Sequence, residues 1–415
     1  MMSGSLGMYI SVPFCRAKCT YCNFASGVFG AERMERYVER VCSEMRGVKA
    51  EAERLRAELS GLELPGLVDT VYLGGGTPSL LGAELVRRLF EALRGEFEVS
   101  AEAEITLECA PGQLGGETLE ELLRQGMNRV SFGVQSFVDR EAAAVGRLHT
   151  RAMCLAEIER LRAAGIADIN VDLIVGLPWQ TAESWRESVE VAIGSGVPHV
   201  SVYMLEVDGE SRLGREMLAS GTKYGAAAAA SEDETAEWYG MACEWLEDAG
   251  IEQYEISNFA REGFQSKHNV KYWRRAAYVG FGLDAHSMLR TGEGAVRWAN
   301  GDDLEKYIGS REKGVGNVAG GLEVLRLAQA PKVEAIGREQ GFEEALFLGL
   351  RMNEGVDLQA LRAEFGEGLV RGAVGALGDV EEAGLVVRER SWVRLTARGR
   401  MASNEVFGRL LVAAV

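Results

Sequence analysis

The alternation of short apolar runs with long helical stretches limits what this chain can fold into more than any other feature. MYISV (8–12) precedes a helical stretch at about 31–59. DTVYLGG (69–75), AEITLEC (103–109), NRVSFGVQ (128–135) and DINVDLIVGLP (168–178) precede helical segments at 79–94, 117–125, 138–145 with 151–164, and 181–194. HVSVYMLEV (199–207) is the sixth run. The runs read as near-continuously apolar rather than alternating, which predicts a parallel sheet covered by helices. Six such repeats joined by right-handed crossovers predict an α/β fold, a curved sheet or incomplete (β/α)6 barrel. In that architecture ligands are handled at the carboxyl ends of the strands.

Beyond the sixth run the pattern changes. A Gly/Ala-rich segment from about Gly214 to Ser231 reads as a loop running into a helix at 232–249, followed by a strand, EQYEIS (252–257). A polar and aromatic block fills 258–287. After residue 341 come helical segments, a hairpin in LVVRERSWVRLT (385–396) and a last helix, the pattern of a winged-helix-like module. The expected division is 1–213 for the barrel with its cysteine loop, 214–340 for a barrel extension and linker, and 341–415 for a smaller C-terminal helical, winged-helix-like domain.

The balance of 62 acidic to 45 basic side chains, a formal charge of −17, speaks against a nucleic-acid partner, which needs basic contacts. Arg388, Glu389 and Arg390 in the hairpin add no basic excess. No apolar run is long enough for an integral membrane segment, and MMSGSLGMYISVP lacks the form of a secretory signal. Cys42, Cys109, Cys154 and Cys243 are scattered and the total of seven is odd, so no disulfide framework is expected. Together these features predict a cytoplasmic protein, and the scattered thiols read as small buried apolar residues.

The other three cysteines fall within eight residues, in YISVPFCRAKCTYCNF (9–24). A closed zinc site needs four ligands, which a distant histidine could complete. Three thiolates on a loop after the first strand suit a 4Fe–4S cluster with one iron left open. Other strand ends carry unusual residues too. LGGGTPS (73–79) offers glycines for close backbone approach and amides to meet a carboxylate or amine. Glu108 ends the third run, and Gln135, Arg147 and Asp172 extend a polar ring. A carboxylate inside NVDLIVGLP is hard to bury without a partner.

The cysteine stretch resembles the radical S-adenosylmethionine (SAM) signature. That resemblance implies a cluster whose open iron holds the methionine amine and carboxylate. YISVPFCRAKCTYCNF, LGGGTP, ECAP, GVQSF, GRLH, NVDLIVGLP and QYEISNFA, in this order, resemble the oxygen-independent coproporphyrinogen III oxidase family over roughly 8–290, and the C-terminal module resembles that family's terminal domain. Carried over by motif, Cys15, Cys19 and Cys22 would hold the 4Fe–4S cluster. Tyr9, Tyr21, Gly75, Gly76, Thr77, Glu108, Gln135, Arg147 and Asp172 would surround SAM.

Two departures point to one subgroup. The oxidases have CxxxCxxCxC, whereas the last position here is Phe24, and they carry an N-terminal extension, whereas 14 residues precede Cys15. Both features, with SKHNVKYW (266–273) matching an HNxxYW motif, resemble the HemW subgroup of haem chaperones. The resemblance implies haem (heme) near His268, Asn269, Tyr272 and Trp273, with His268 the candidate iron ligand and His149, His199 and His286 competing. It also implies a haem-accepting apoprotein, an electron donor for the cluster and pairing into a homodimer. The other reading is an oxidase that decarboxylates coproporphyrinogen III, and a radical enzyme acting on another tetrapyrrole is a third.

Overall fold

The computed structural model describes residues 4–292, 294–309 and 333–412. Strands β1 (Ser5–Val12), β2 (Leu67–Gly75), β3 (Glu98–Cys109), β4 (Arg129–Gln135), β5 (Asp168–Val175) and β6 (His199–Met204) lie side by side in chain order, each pair parallel. Helices Ala31–Glu58, Ala83–Glu96, Gly116–Arg124, Arg151–Ala163 and Ala182–Gly194 make the crossovers. The expected α/β architecture is present.

The sheet is wider than six strands. β7 (Glu252–Glu255) and β8 (Asn258–Ala260) continue it antiparallel beyond β6. On the other side β9 (Tyr278–Phe281), from the polar and aromatic block, runs parallel to β1. β10 (His286–Arg290), β11 (Ala295–Ala299) and β12 (Glu334–Ile336) follow antiparallel, giving twelve described strands in one sheet. The segment expected as a loop at 214–231 holds the end of a helix, Arg212–Leu218, and a 3-10 turn at Lys223–Ala228.

One expectation is corrected. The strands are not continuously apolar: they alternate. Val71 and Leu73, Ile105 and Leu107, Val130 and Phe132, Ile169 and Val171, and Val200 and Val202 form one face of the core. Thr70, Tyr72, Thr106, Glu108, Ser131, Asn170, Asp172, His199 and Ser201 occupy the intervening positions. The parallel register sets these beside one another, with Thr70 opposite Glu104, Glu108 opposite Ser131, Ser131 opposite Asn170 and Asp172 opposite Ser201. Successive side chains point to opposite faces, so the inner face of the sheet is polar while the outer one packs on helices. Both faces are covered, which hides the alternation from a reading based on composition.

The helix Ala31–Glu58 shows how the outer layer docks. Its buried residues Val38, Val41, Met45, Val48, Ala52 and Leu55 recur every three or four positions, a single apolar stripe. The Tyr37 hydroxyl donates to the Ser11 carbonyl at 2.7 Å and accepts from the Leu283 amide at 2.8 Å. Glu44 accepts from the Gly282 amide at 3.1 Å and from Asn300 at 2.6 Å. This one helix therefore fixes both β1 and the turn between β9 and β10.

The C-terminal residues build a separate three-stranded sheet, with Val356–Asp357 and Val386–Glu389 flanking Trp392–Leu395. Helices Arg338–Arg351, Leu358–Phe365 and Glu367–Glu382 close a core containing Phe342, Leu346, Val370, Leu377 and Val393. Hairpin arginines are paired, Arg388 with Glu381 at 3.3 Å and Arg394 with Glu389 at 2.9 Å. No described helix is long and apolar enough to cross a membrane.

Candidate cluster and cofactor site

The cysteine loop hangs from the carboxyl end of β1. Phe14 is buried edge-on against Phe29 and Tyr37, with ring centres 5.9 and 5.3 Å away. The neck closes where the Gly27 amide donates to the Pro13 carbonyl at 2.9 Å and the Cys15 amide to the Gly27 carbonyl at 2.8 Å. The middle is tethered at Thr20, whose amide donates to the Val145 carbonyl at 3.1 Å and whose carbonyl accepts from the Leu213 amide at 2.8 Å. Three thiols are thus presented on a loop held at both ends and at its centre. Cys19 is buried, while Cys15 and Cys22 are partly buried.

Arg147 donates through Nη1 to the Cys19 sulfur at 3.4 Å, and Thr77 donates to the Cys15 sulfur at 3.8 Å. Both contacts hold donors against the sulfurs of the loop. The Nε of Arg147 is buried without a partner, an orphaned donor beside the loop. The scattered cysteines sit differently. Burial pushes the Cys109 and Cys154 thiols up to about 12, which leaves them protonated and inert. Among the described residues no three His, Cys, Asp or Glu side chains converge as ligands of one ion would. Ligands of a 4Fe–4S cluster bind separate irons and need no common point, so the loop suits the cluster better than mononuclear zinc.

The LGGGTPS turn differs from expectation. Its amides are already engaged: Gly75 donates to Glu108 Oε2 at 3.0 Å, Gly76 to the Val12 carbonyl at 2.9 Å and Thr77 to the Phe14 carbonyl at 2.8 Å. The turn clamps the root of the cysteine loop. Its glycines are required for that: Gly75 has φ +98°, and a Cβ on Gly76 would lie 2.7 Å from the Val12 carbonyl oxygen.

The polar inner face supplies the rest. Glu108 accepts from the Tyr72 hydroxyl at 3.0 Å. Asp172 accepts from Asn170 at 2.7 Å and from Ser131 at 3.3 Å, the partners its burial requires. Gln135 stands at φ +71° where the pairing of β4 with β5 slips, a strained strand end whose side chain, like that of Arg147, lies against Gly133. Arg147 also donates to the Gly133 carbonyl. Tyr21 packs on Val145, Ile174 and Leu177, close to Arg147 and Cys19. Tyr9 stacks beside Tyr72, ring centres 6.1 Å apart. Tyr72 was not foreseen as part of the site, and its place in the polar phase of β2 is the signal that marks it.

Burial, with the nearby Asp172 charge, raises the Glu108 carboxyl to about 7. The folded chain therefore keeps a proton that the unfolded chain loses above about 4.5. Stability tied to this proton is complete below that value and is lost as pH rises toward 7. In the cofactor-free protein, Glu108→Gln should reduce the loss of stability between pH 4.5 and 7.5 by up to about 3 kcal/mol. Urea unfolding at several pH values checks this, and parallel curves for the two proteins would refute it.

The HNxxYW block forms the helix Lys267–Trp273. Ser266 caps it by accepting from the Asn269 amide at 3.3 Å, and Glu104 on β3 accepts from the Lys267 and His268 amides at 2.8 and 2.9 Å. Lys271 is buried against Asp69 at 2.8 Å. The four haem candidates do not converge. His268 is 1% exposed, with Nδ1 bonded to the Thr70 hydroxyl and Nε2 to the Tyr272 hydroxyl, each at 2.8 Å. Burial pushes its imidazole down to about 3, so it is neutral with both nitrogens occupied. Neither nitrogen of His268, the candidate iron ligand, faces open space in this arrangement. Trp273 turns toward the C-terminal module, where the Arg351 guanidinium lies 4.3 Å from its ring centre. Asn269 is partly buried. Tyr272 alone of the four lines a cleft.

That cleft, about 400 Å³ in volume, is lined by residues of β1, the end of β2, β9 and the turn that follows β9. Tyr9, Ser11, Gly75, Tyr272 and Tyr278 line it, and Phe24, 59% exposed, stands at its lip. His286 and Asp284, both exposed, line it as well. Its volume lies within the usual range for small-molecule sites.

Comparison with known proteins agrees with this geometry. Residues 9–192 match the radical SAM superfamily and residues 338–402 the HemN C-terminal domain. A Bacillus subtilis (strain 168) protein named heme chaperone HemW is 32% identical over 405 residues, covering 97% of this chain and 98% of its own length. A mouse protein, radical S-adenosyl methionine domain-containing protein 1, mitochondrial, is 31% identical over 361 residues, covering 85% and 74%. The structure of coproporphyrinogen III oxidase (HemN) from Escherichia coli superimposes with a TM-score of 0.78 over 98% of this chain and 90% of that one, at 20% identity, which supports the fold. Radical SAM proteins use a 4Fe–4S cluster and SAM, and these are cofactors of this chain as well. With 97% of its length aligned and both regions matched in order, the chain belongs to the HemW family of the radical SAM superfamily.

Proposed function

We propose that this protein is a haem chaperone that binds haem beside a SAM-ligated 4Fe–4S cluster and passes it to an acceptor apoprotein. The observation that carries the reading is the position of the cleft. Its lining shares Tyr9 and Gly75 with the positions that match SAM motifs, so a flat apolar ligand and the cofactor would be neighbours. Aromatic rings suit a macrocycle, and an imidazole is a usual axial ligand to haem iron. The relatives named heme chaperone HemW support the same reading across nearly the whole chain.

In this proposal Cys15, Cys19 and Cys22 hold the cluster, with Arg147 donating to the Cys19 sulfur. Tyr9, Tyr21, Gly75, Gly76, Thr77, Glu108, Gln135 and Asp172 enclose SAM. Glu108 and Asp172 offer acceptors for ribose hydroxyls, and the packed turn at Gly75–Thr77 holds the loop against β2. When bound, the cluster would supply an electron to the sulfonium of SAM, with a reductant protein as donor. Residues 1–213 carry the cluster and SAM, 214–340 contribute Tyr272, Tyr278 and His286 to the haem cleft, and 341–415 brace the HNxxYW helix through Arg351. The setting is the cytoplasm, and a homodimer is the proposed assembly.

The test is a transfer experiment. Protein with its cluster reconstituted is given one equivalent of hemin, freed of excess, and mixed with an apo-b-type cytochrome. Formation of holocytochrome in proportion to the hemin carried supports the chaperone. Failure to hold hemin, or hemin that never leaves, contradicts it.

A further inference from the structure

The tyrosine-walled cleft raises the question of which side chain meets the iron, and the answer rests on the haem-carrier reading above. Of the chain's four histidines, three are internal. His149 is bonded through Nε2 to the Val134 carbonyl at 3.0 Å. His199 is bonded to Asn170 at 2.6 Å and to the Tyr254 hydroxyl at 2.9 Å. His268 is enclosed between Thr70 and Tyr272. His286 differs from all of them: it is exposed, faces the cleft, and its ring takes part in no hydrogen bond among the described residues.

We propose that His286 is the protein ligand to haem iron, with the macrocycle lying along Tyr272 and Tyr278. The mount is rigid, as ligation requires. His286 is the first residue of β10, paired with Ala299 on β11. The turn before it passes through Gly282 at φ +97° and Asp284 at φ +55°, conformations held from outside. The Gly282 amide is bonded to Glu44, the Leu283 amide to the Tyr37 hydroxyl, and the Gly282 carbonyl to Asn300 at 2.7 Å. Asp284 lies on the same side of the cleft, near enough for its charge to interact with the imidazole. The HNxxYW helix then has a positioning role. His268 fixes the Tyr272 hydroxyl, and the Tyr272 ring meets Tyr278 edge-on at 4.6 Å, setting the wall against which the ligand lies.

The experiment is a hemin titration of the full chain followed by visible absorption and electron paramagnetic resonance, comparing wild type with His286→Ala. The substituted residue is exposed, and retained cluster absorption shows that the variant is folded. The expected result is a Soret maximum moved toward that of free hemin, affinity at least tenfold lower, and recovery of the wild-type spectrum on adding imidazole. A purely structural role would not be rescued by free imidazole. An unchanged Soret band and unchanged affinity in His286→Ala overturn the assignment and leave the carrier reading standing. No hemin binding by the wild-type protein overturns both.

Discussion

Serine in place of Cys15, Cys19 or Cys22 is expected to lower iron from about four atoms per chain to near none, with loss of the broad visible absorption of the cluster. The expectation comes from the loop's construction. Each cysteine lies in a segment pinned by backbone hydrogen bonds, at the neck through Cys15 and Gly27 and at the middle through Thr20. The other thiols are held elsewhere: Cys42 is buried on the helix Ala31–Glu58 with its sulfur against the Arg88 carbonyl at 3.5 Å, and burial keeps the Cys109 and Cys154 thiols protonated. Cys42→Ser should keep full iron content. Iron and sulfide analysis after anaerobic reconstitution decides the matter, and a full cluster in any one of the three loop variants would remove that cysteine from the ligand set.

His268→Ala is expected to destabilise the protein by about 2–5 kcal/mol, the range for cavity formation with loss of buried partners. The imidazole fills space between β2 and its own helix, with Tyr72 stacked 5.2 Å away and Tyr272 edge-on at 5.1 Å. Removing it leaves the Thr70 and Tyr272 hydroxyls without this partner. An accessible ligand in an open pocket would behave otherwise, since exposed positions usually change stability by less than about 0.5 kcal/mol. Chemical denaturation of the ligand-free protein measures the difference. A loss below about 0.5 kcal/mol would mean that His268 is not the internal strut described above.

These two substitutions separate what sequence conveys from what it conceals. The cysteine spacing and the order of strand-end motifs are local, and the strand–helix alternation is a periodic signal, so both were legible. The polar inner face was present in the same letters, in TVYLG, EITLE, VSFGVQ and INVDL, but composition alone reads such strands as apolar. Phase had to be followed residue by residue to see that Thr70, Tyr72, Glu108 and Asp172 share a surface. The HNxxYW block was visible as a motif, whereas its direction depends on Glu104 and Thr70, more than 160 positions away along the chain. The turn at Gly75–Thr77 shows the same limit, since its amides meet carbonyls of Val12 and Phe14 that only strand pairing brings near. His286 gave little sequence signal, and its importance comes from the strand β9, which sets the turn before it beside β1.

The measurement that tests the account most directly is an anaerobic assay of the reconstituted protein with SAM, a reductant and coproporphyrinogen III, with the porphyrins analysed after oxidation. A haem carrier with Phe24 at the lip of its cleft should leave the tetrapyrrole carboxylates intact, giving no product beyond the level of the Cys19→Ser control. Protoporphyrin formed over many turnovers would make the protein an oxidase and contradict the account.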